Sequence, residues 1–121
     1  MPERVVIVPY DSRWPAAYET ERLRLTAALG PSGVAIHHVG STAILGMPAK
    51  PVLDIVVECA EYPPTDTFCA AMAQLGYSHM GESHVSGRHW FRKGAPRTHH
   101  VHAVPVGGDV MRRQFGTCQR V

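Results

Sequence analysis

Residues 37–57 read HHVGSTAILGMPAKPVLDIVV, and the fold turns on them. An apolar run ends in Gly40-Ser41. A connection holding Pro48, Lys50 and Pro51 follows, and then a second β-branched run carries one carboxylate, Asp54. Residues 34–39 read as one strand and residues 52–59 as the next. The continuous apolar character of the second run marks it as a central strand. A carboxylate set into such a strand calls for a reason, because an ionised oxygen taken out of water is costly unless paired or bound to a metal.

The sequence on either side supplies the other elements. Residues 5–8, Val-Val-Ile-Val, form a short β-branched run. Asp11 or Ser12 can cap a helix that tolerates Pro15 in its first turn and runs to Leu29, with Trp14, Tyr18, Leu25 and Leu29 on its apolar side. Gly30-Pro31-Ser32-Gly33 stops it. After the linker Tyr62-Pro63-Pro64, Thr65 or Asp66 opens a second helix through Leu75, which Gly76 ends. Residues 77–80, 88–93 and 100–104 read as three further strands, with a turn at Gly94-Ala95-Pro96. Gly107-Gly108 breaks the last strand, and Asp109 can start a short helix. The order β-α-β-β-α-β-β-β lacks regular alternation. The expected class is α+β, a mixed sheet with its helices mainly on one face.

The 121 residues make one domain, 1–121, the prior. A net charge of +2 is too mild to point to nucleic acid, and it leaves small anionic ligands open. Three cysteines (Cys59, Cys69 and Cys118), an odd number without CxxC spacing, argue against a disulfide framework or a cysteine zinc site. No run reaches the about 18 apolar residues of a membrane span. The expectation is a cytoplasmic protein without a membrane partner.

The Gly-Ser connection has the chemistry of an anion cradle. Gly40 lets the backbone approach a ligand, Ser41 and Thr42 add hydroxyls and N–H groups, and Lys50 adds a compact positive charge. Asp54 would then hold a divalent cation bridging the ligand's phosphates. The competing structural reading is equally simple: Gly-Ser is a common turn, the prolines shape a connection, and Asp54 caps neighbouring backbone.

The stretch 37–57, together with VVIVPYDSRWPAAYETE near the start, LGYSH after the second helix and WFRKG with RTHHVHAV near the end, resembles the GrpB family. The resemblance spans roughly residues 4–106. It implies a nucleotidyltransferase-like fold. That superfamily carries Gly-Ser at a helix start, Asp-x-Asp on the next strand and a third carboxylate on a later strand. Gly40-Ser41 matches the first element and Asp54 the first carboxylate. The second carboxylate falls on Val56, and residues 100–104 contain no acid.

Two-metal transfer needs several carboxylates around ions about 3.5–4 Å apart. Glu58 shares the face of Asp54 but lies about 13 Å along a strand that rises about 3.3 Å per residue. Histidines stand where acids are missing. His100 and His102, at i and i+2 of a strand, face one side and complete a two-histidine, one-carboxylate set with Asp54. The resemblance supports a functional His102, as base or metal ligand. A histidine at a strand edge or bonded to core backbone is the plain alternative. His99 points to the other face, where solvent is expected. His37 and His38 also face opposite sides. His38 lies on the side of the loop, and a satisfied sheet-edge histidine is the preferred reading. His79, His84 and His89 show no metal-type spacing. Arg88, Trp90 and Arg92 share a face that could bind phosphate and stack a base, or could simply defend an edge strand. Arg92 is the first choice for the phosphate arm and Lys50 the second.

The resemblance also implies a helical extension beyond this point. GGDVMRRQFGTCQRV begins like it and stops at Val121. The expectation is a shortened member that buries an apolar face by self-association, as a homodimer. Three functions follow. The first is a metal-dependent nucleotidyl or phosphoryl transferase with Asp54 and His102 as catalytic residues. The second is a binding module that holds a nucleotide or other phosphorylated ligand without turnover. The third is an assembly role, such as that of related domains fused to a coenzyme A biosynthesis kinase. The cofactor would be Mg²⁺ or Mn²⁺, with Zn²⁺ as the alternative.

Overall fold

The computed structural model describes residues 7–82, 89–94 and 97–106. Helix α1 spans Trp14–Leu29 and α2 spans Asp66–Gln74. The strands are β1 (Gly33–Val39), β2 (Leu53–Cys59), β3 (Ser78–Glu82), β4 (His89–Lys93) and β5 (His99–Pro105). They form one five-stranded sheet in the order β1-β2-β5-β4-β3. Only the β2–β5 pair is parallel, and the other three pairs are antiparallel. The expected mixed α+β sheet is the one observed.

Local chemistry explains the boundaries. The backbone carbonyl of Asp11 accepts from Trp14 N at 3.0 Å, and its side chain accepts from Arg13 N at 2.9 Å, which opens α1. Neither Asp11 nor Ser12 takes the expected cap position, which falls to Arg13 without a side-chain cap bond; the Asp11 carboxylate is held instead by the Arg13 N–H and guanidinium. Thr65 Oγ1 accepts from Phe68 N at 3.1 Å and starts α2 as expected. Of the first predicted strand, Val5 and Val6 lie outside the described residues, and Val8 makes a single antiparallel bridge to Ala49. Arg88, His84, most of the Gly94-Ala95-Pro96 turn and everything expected of residues 107–121 also lie outside the described residues.

Both helices cover the same face. Leu25 and Leu29 of α1 and Phe68 and Met72 of α2 pack with Ile55, Val57, Phe91, Val101 and Ala103 of the sheet. Strand alternation therefore sends Asp54, Val56 and Glu58 of β2, His100 and His102 of β5, and Trp90 and Arg92 of β4 to the opposite face. Among the described residues, no helix is long and apolar enough to cross a membrane.

Candidate metal centre

The register of the sheet builds the site. Asp54 lies directly opposite His100 across the parallel pair, and His100 lies opposite Arg92 across the next antiparallel pair. One residue pair further along, Val56, His102 and Trp90 form the parallel row. Position 56, where the second carboxylate of the superfamily pattern would fall, is thus a fully buried valine beside His102.

Asp54, His100 and His102 each offer one ligand atom, and these atoms lie within 4.8 Å of one another. His100 Nδ1 is 3.5 Å from Asp54 Oδ1, and the His100 and His102 rings are 4.5 Å apart at their centroids. Trp90 meets the His100 ring edge-on at 4.7 Å and fixes its plane from the β4 side. His102 is 8% exposed, whereas the side chains of Asp54 and His100 are each about one-fifth exposed, at 21% and 20%. Asp54 and His100 are thus partly reachable from solvent, and His102 is not. His100 Nε2 is buried without a hydrogen-bond partner among the described residues. Among the described residues, no lysine or arginine forms an ion pair with Asp54.

Gly40 frames the carboxylate. Its φ of +76° is a conformation that favours glycine, and a Cβ there would stand 2.7 Å from Asp54 Oδ2. Gly40 is therefore needed for its lack of a side chain against Asp54. The backbone then enters a 3₁₀ turn, Ser41–Ala43, in which Ala43 N donates to Gly40 O at 3.1 Å. Ser41 is exposed at the mouth of this turn. Thr42 is buried, and its hydroxyl is bonded to His38 Nε2 at 2.9 Å. Lys50 is exposed on the connection into β2, next to buried Ala49.

The remaining histidines divide between the faces. His38 stacks on Tyr18 of α1 at 4.7 Å, and burial pulls its pKa down against the raising effect of the Asp54 charge. With Tyr10, Pro15, Ala43 and Leu45 it lines a cleft of about 310 Å³. His37, on the other face, pairs with Glu58 at 2.5 Å, so the acid four residues past Asp54 is engaged elsewhere.

His99 departs from its expected solvent exposure. It lies half-buried on the helix face, 3.8 Å from Glu21 Oε1. Glu21 is the residue the sequence reading missed. It is 2% exposed and accepts 2.7 Å hydrogen bonds from both Tyr77 Oη and Lys93 Nζ. The Lys93 ammonium also sits over the Tyr77 ring, 4.8 Å from its centroid. Burial pushes the Glu21 carboxyl up, but the bonds from Lys93 and Tyr77 outweigh it and hold the group below its ordinary value. A signal was present: positions 14, 18, 21, 25 and 29 form one helical stripe, and Glu21 is its single charge.

Fold and site together define an α+β protein with a two-histidine, one-carboxylate cluster on the sheet face opposite α1 and α2. The chain belongs to the GrpB family, whose model, described as GrpB protein, matches residues 4–117. It is 38% identical over 113 residues to the UPF0157 protein YqkA of Bacillus subtilis, covering 93% of this chain and 33% of that protein. It is 36% identical over 109 residues to the UPF0157 protein PA4798 of Pseudomonas aeruginosa, covering 86% and 45%. The crystal structure of the conserved protein GrpB from Enterococcus faecalis superimposes with a TM-score of 0.83 at 31% identity, over 91% of this chain and 67% of that one. The chain thus spans less than half the length of the two curated relatives.

Proposed function

We propose that the chain binds a divalent transition-metal ion at Asp54, His100 and His102 and, through it, a phosphorylated small molecule such as a nucleotide. The observation that carries this reading is the convergence of the three ligand atoms within 4.8 Å on an accessible sheet face. Two imidazoles and one carboxylate suit Mn²⁺, Zn²⁺ or another first-row ion better than Mg²⁺, which prefers an all-oxygen shell. The ligand's anionic group would meet the Gly40–Ser41 backbone. Arg92, in register with His100, and Lys50 would supply counter-charge. Thr42 supports the loop by holding His38.

Binding is favoured over transfer by one observation. The neighbour of His102 on β2 is Val56, fully buried and without a ligand atom, so the arrangement suits one ion rather than two. In a transfer reaction, Asp54 and His100 would hold the metal and His102 would be the base instead of a ligand. Self-association belongs to the same proposal. Leu45 at 85% exposure and Met47 at 40% give the loop an apolar tip, and a dimer built on it would melt at a temperature that rises with protein concentration.

Calorimetric titration with Mn²⁺ tests the metal, because Mn²⁺ has little affinity for thiols. One ion should bind the wild type, and affinity should fall at least about tenfold in Asp54→Asn and in His102→Ala. ATP should then bind with Mn²⁺ and not without it. Absence of Mn²⁺ binding in the wild type, or unchanged binding in both variants, overturns the reading. Release of product from ATP would move the conclusion from binding to transfer.

A further inference from the structure

A second group of metal-ligating side chains lies on the helix face at the far edge of the sheet. Cys69 of α2, His79 of β3 and His89 of β4 are ten residues apart in sequence and form one contiguous chain of contacts. Cys69 Sγ is 3.7 Å from His79 Nδ1, and His79 Nε2 is 2.9 Å from His89 Nδ1. The His79 ring lies flat on buried Phe91, with centroids 4.7 Å apart and planes at 18°. The His89 ring is held edge-on by Tyr62 at 5.4 Å. Three different elements therefore fix the three groups, and the contacts are open to solvent.

We infer that Cys69 and His79 are the protein ligands of a second cation site, for a thiophilic d¹⁰ ion such as Zn²⁺, with His89 as the outer partner that orients His79. The proton arrangement supports this. A thiol S–H donating to His79 Nδ1 requires the proton of His79 on Nε2, where His89 Nδ1 accepts it. Replacing the single thiol proton by a cation leaves the rest of the chain unchanged: an S–metal bond and an N–metal bond form, and one proton leaves to solvent. Zinc bonds of about 2.3 Å to sulfur and about 2.0 Å to nitrogen at a tetrahedral angle need an S···N separation of roughly 3.5 Å. The observed separation is 3.7 Å. Water completes the shell on the exposed side.

An outer hydrogen bond of this kind fixes the tautomer of a ligating histidine and raises its basicity. A thiol binds a cation only as its thiolate, so uptake displaces the S–H proton and apparent affinity should rise as pH rises. Cys59 is no rival, since it is buried in the core and burial pushes it up to about 12.

Cobalt is the probe that separates this site from the Asp54 cluster, because only a thiolate ligand gives a near-ultraviolet charge-transfer band. The full chain, kept reduced with a phosphine, should develop that band on Co²⁺ titration, and Zn²⁺ should erase it. Cys69→Ser should abolish the band while leaving the melting temperature unchanged, since the side chain is only partly buried. His89→Ala should weaken Co²⁺ binding about tenfold through the lost outer bond. Asp54→Asn and His102→Ala should leave the band intact, so failure of the first site does not touch this result. A wild type without the band at millimolar Co²⁺, or a band that persists in Cys69→Ser, overturns the inference. So does a His79→Ala variant that melts earlier yet binds Co²⁺ unchanged, because His79 would then only cap Phe91.

Discussion

His99 and His100 are neighbours on β5, and they serve opposite faces of the sheet. On the helix face, His99 borders a buried carboxylate whose needs are met: Glu21 takes hydrogen bonds from Tyr77 and Lys93 and has Arg24 at 3.7 Å. On the other face, His100 borders a carboxylate that no lysine or arginine neutralises among the described residues, and its companion groups are imidazoles. The first cluster combines an acceptor with donors and a cation, so it is complete as it stands. The second offers a carboxylate and ring nitrogens converging on one point, and what satisfies it is a cation. Burial differs accordingly, at 2% for Glu21 against about one-fifth for the Asp54 side chain, at 21%. The same residue types thus make a fastener on one face and a ligand set on the other.

The sharpest way to break this contrast is Glu21→Gln. It removes the charge that balances Lys93 inside the helix–sheet interface, and the loss should be about 3 kcal/mol in urea unfolding, with Mn²⁺ affinity unchanged. pH should reveal the same cluster. The His99 pKa is lowered from 6.5, first by burial and then by Lys93 and Arg24, with Glu21 opposing. The folded chain therefore refuses a proton that the unfolded chain accepts, and stability should decline as pH falls below 6.5. The Glu21 pKa is lowered from 4.5, so its contribution is present above that pH and is lost as pH falls through the folded value. Urea midpoints measured from pH 7.5 to pH 3.5 should show both declines in the wild type. In Glu21→Gln the decline below 4.5 should be shallower. An equal decline there would remove Glu21 from the account.

Gly40→Ala tests the other face. The methyl group meets Asp54 Oδ2 at 2.7 Å, and alanine must also adopt a φ of +76°. The expected cost is about 2 kcal/mol, with Mn²⁺ affinity falling together with stability because Asp54 is displaced. Loss of stability without loss of metal affinity would mean that the carboxylate finds its place without the glycine.

Much of this was written in the sequence because it depends on local periodicity. The α1 stripe, the Thr65 cap, the apolar run of β2 and the alternation that separates Arg92 from Lys93 all follow from spacing alone. So does the shared face of His100 and His102. The match of Asp54 to His100 does not, since it depends on β5 inserting between β2 and β4 and pairing parallel to β2 in a register that no short window encodes. Cys69, His79 and His89 are hidden for the same reason: α2 and the β3–β4 pairing bring together residues ten apart. Glu21 was legible in principle as a charge within an apolar stripe. His99 was misjudged because the second face of a strand exposes its residues only where no helix lies over it.

The smallest effect decides what Thr42 is for. Its position after Gly40-Ser41 fits a phosphate ligand, yet its hydroxyl is buried and bonded to His38, which stacks on Tyr18. Tyr18 in turn donates to the Ile36 carbonyl at 3.2 Å, so the loop, α1 and β1 are joined through this pair. Thr42→Val keeps the shape and removes the oxygen. It should cost about 1 kcal/mol, the penalty for one buried ring nitrogen left without its partner. Affinity for ATP with Mn²⁺ should not change, because the hydroxyl faces the helix side of the turn and Asp54 the other. The opposite result, with ligand affinity lost and stability kept, would move Thr42 into the ligand set and make His38 the residue that aims it.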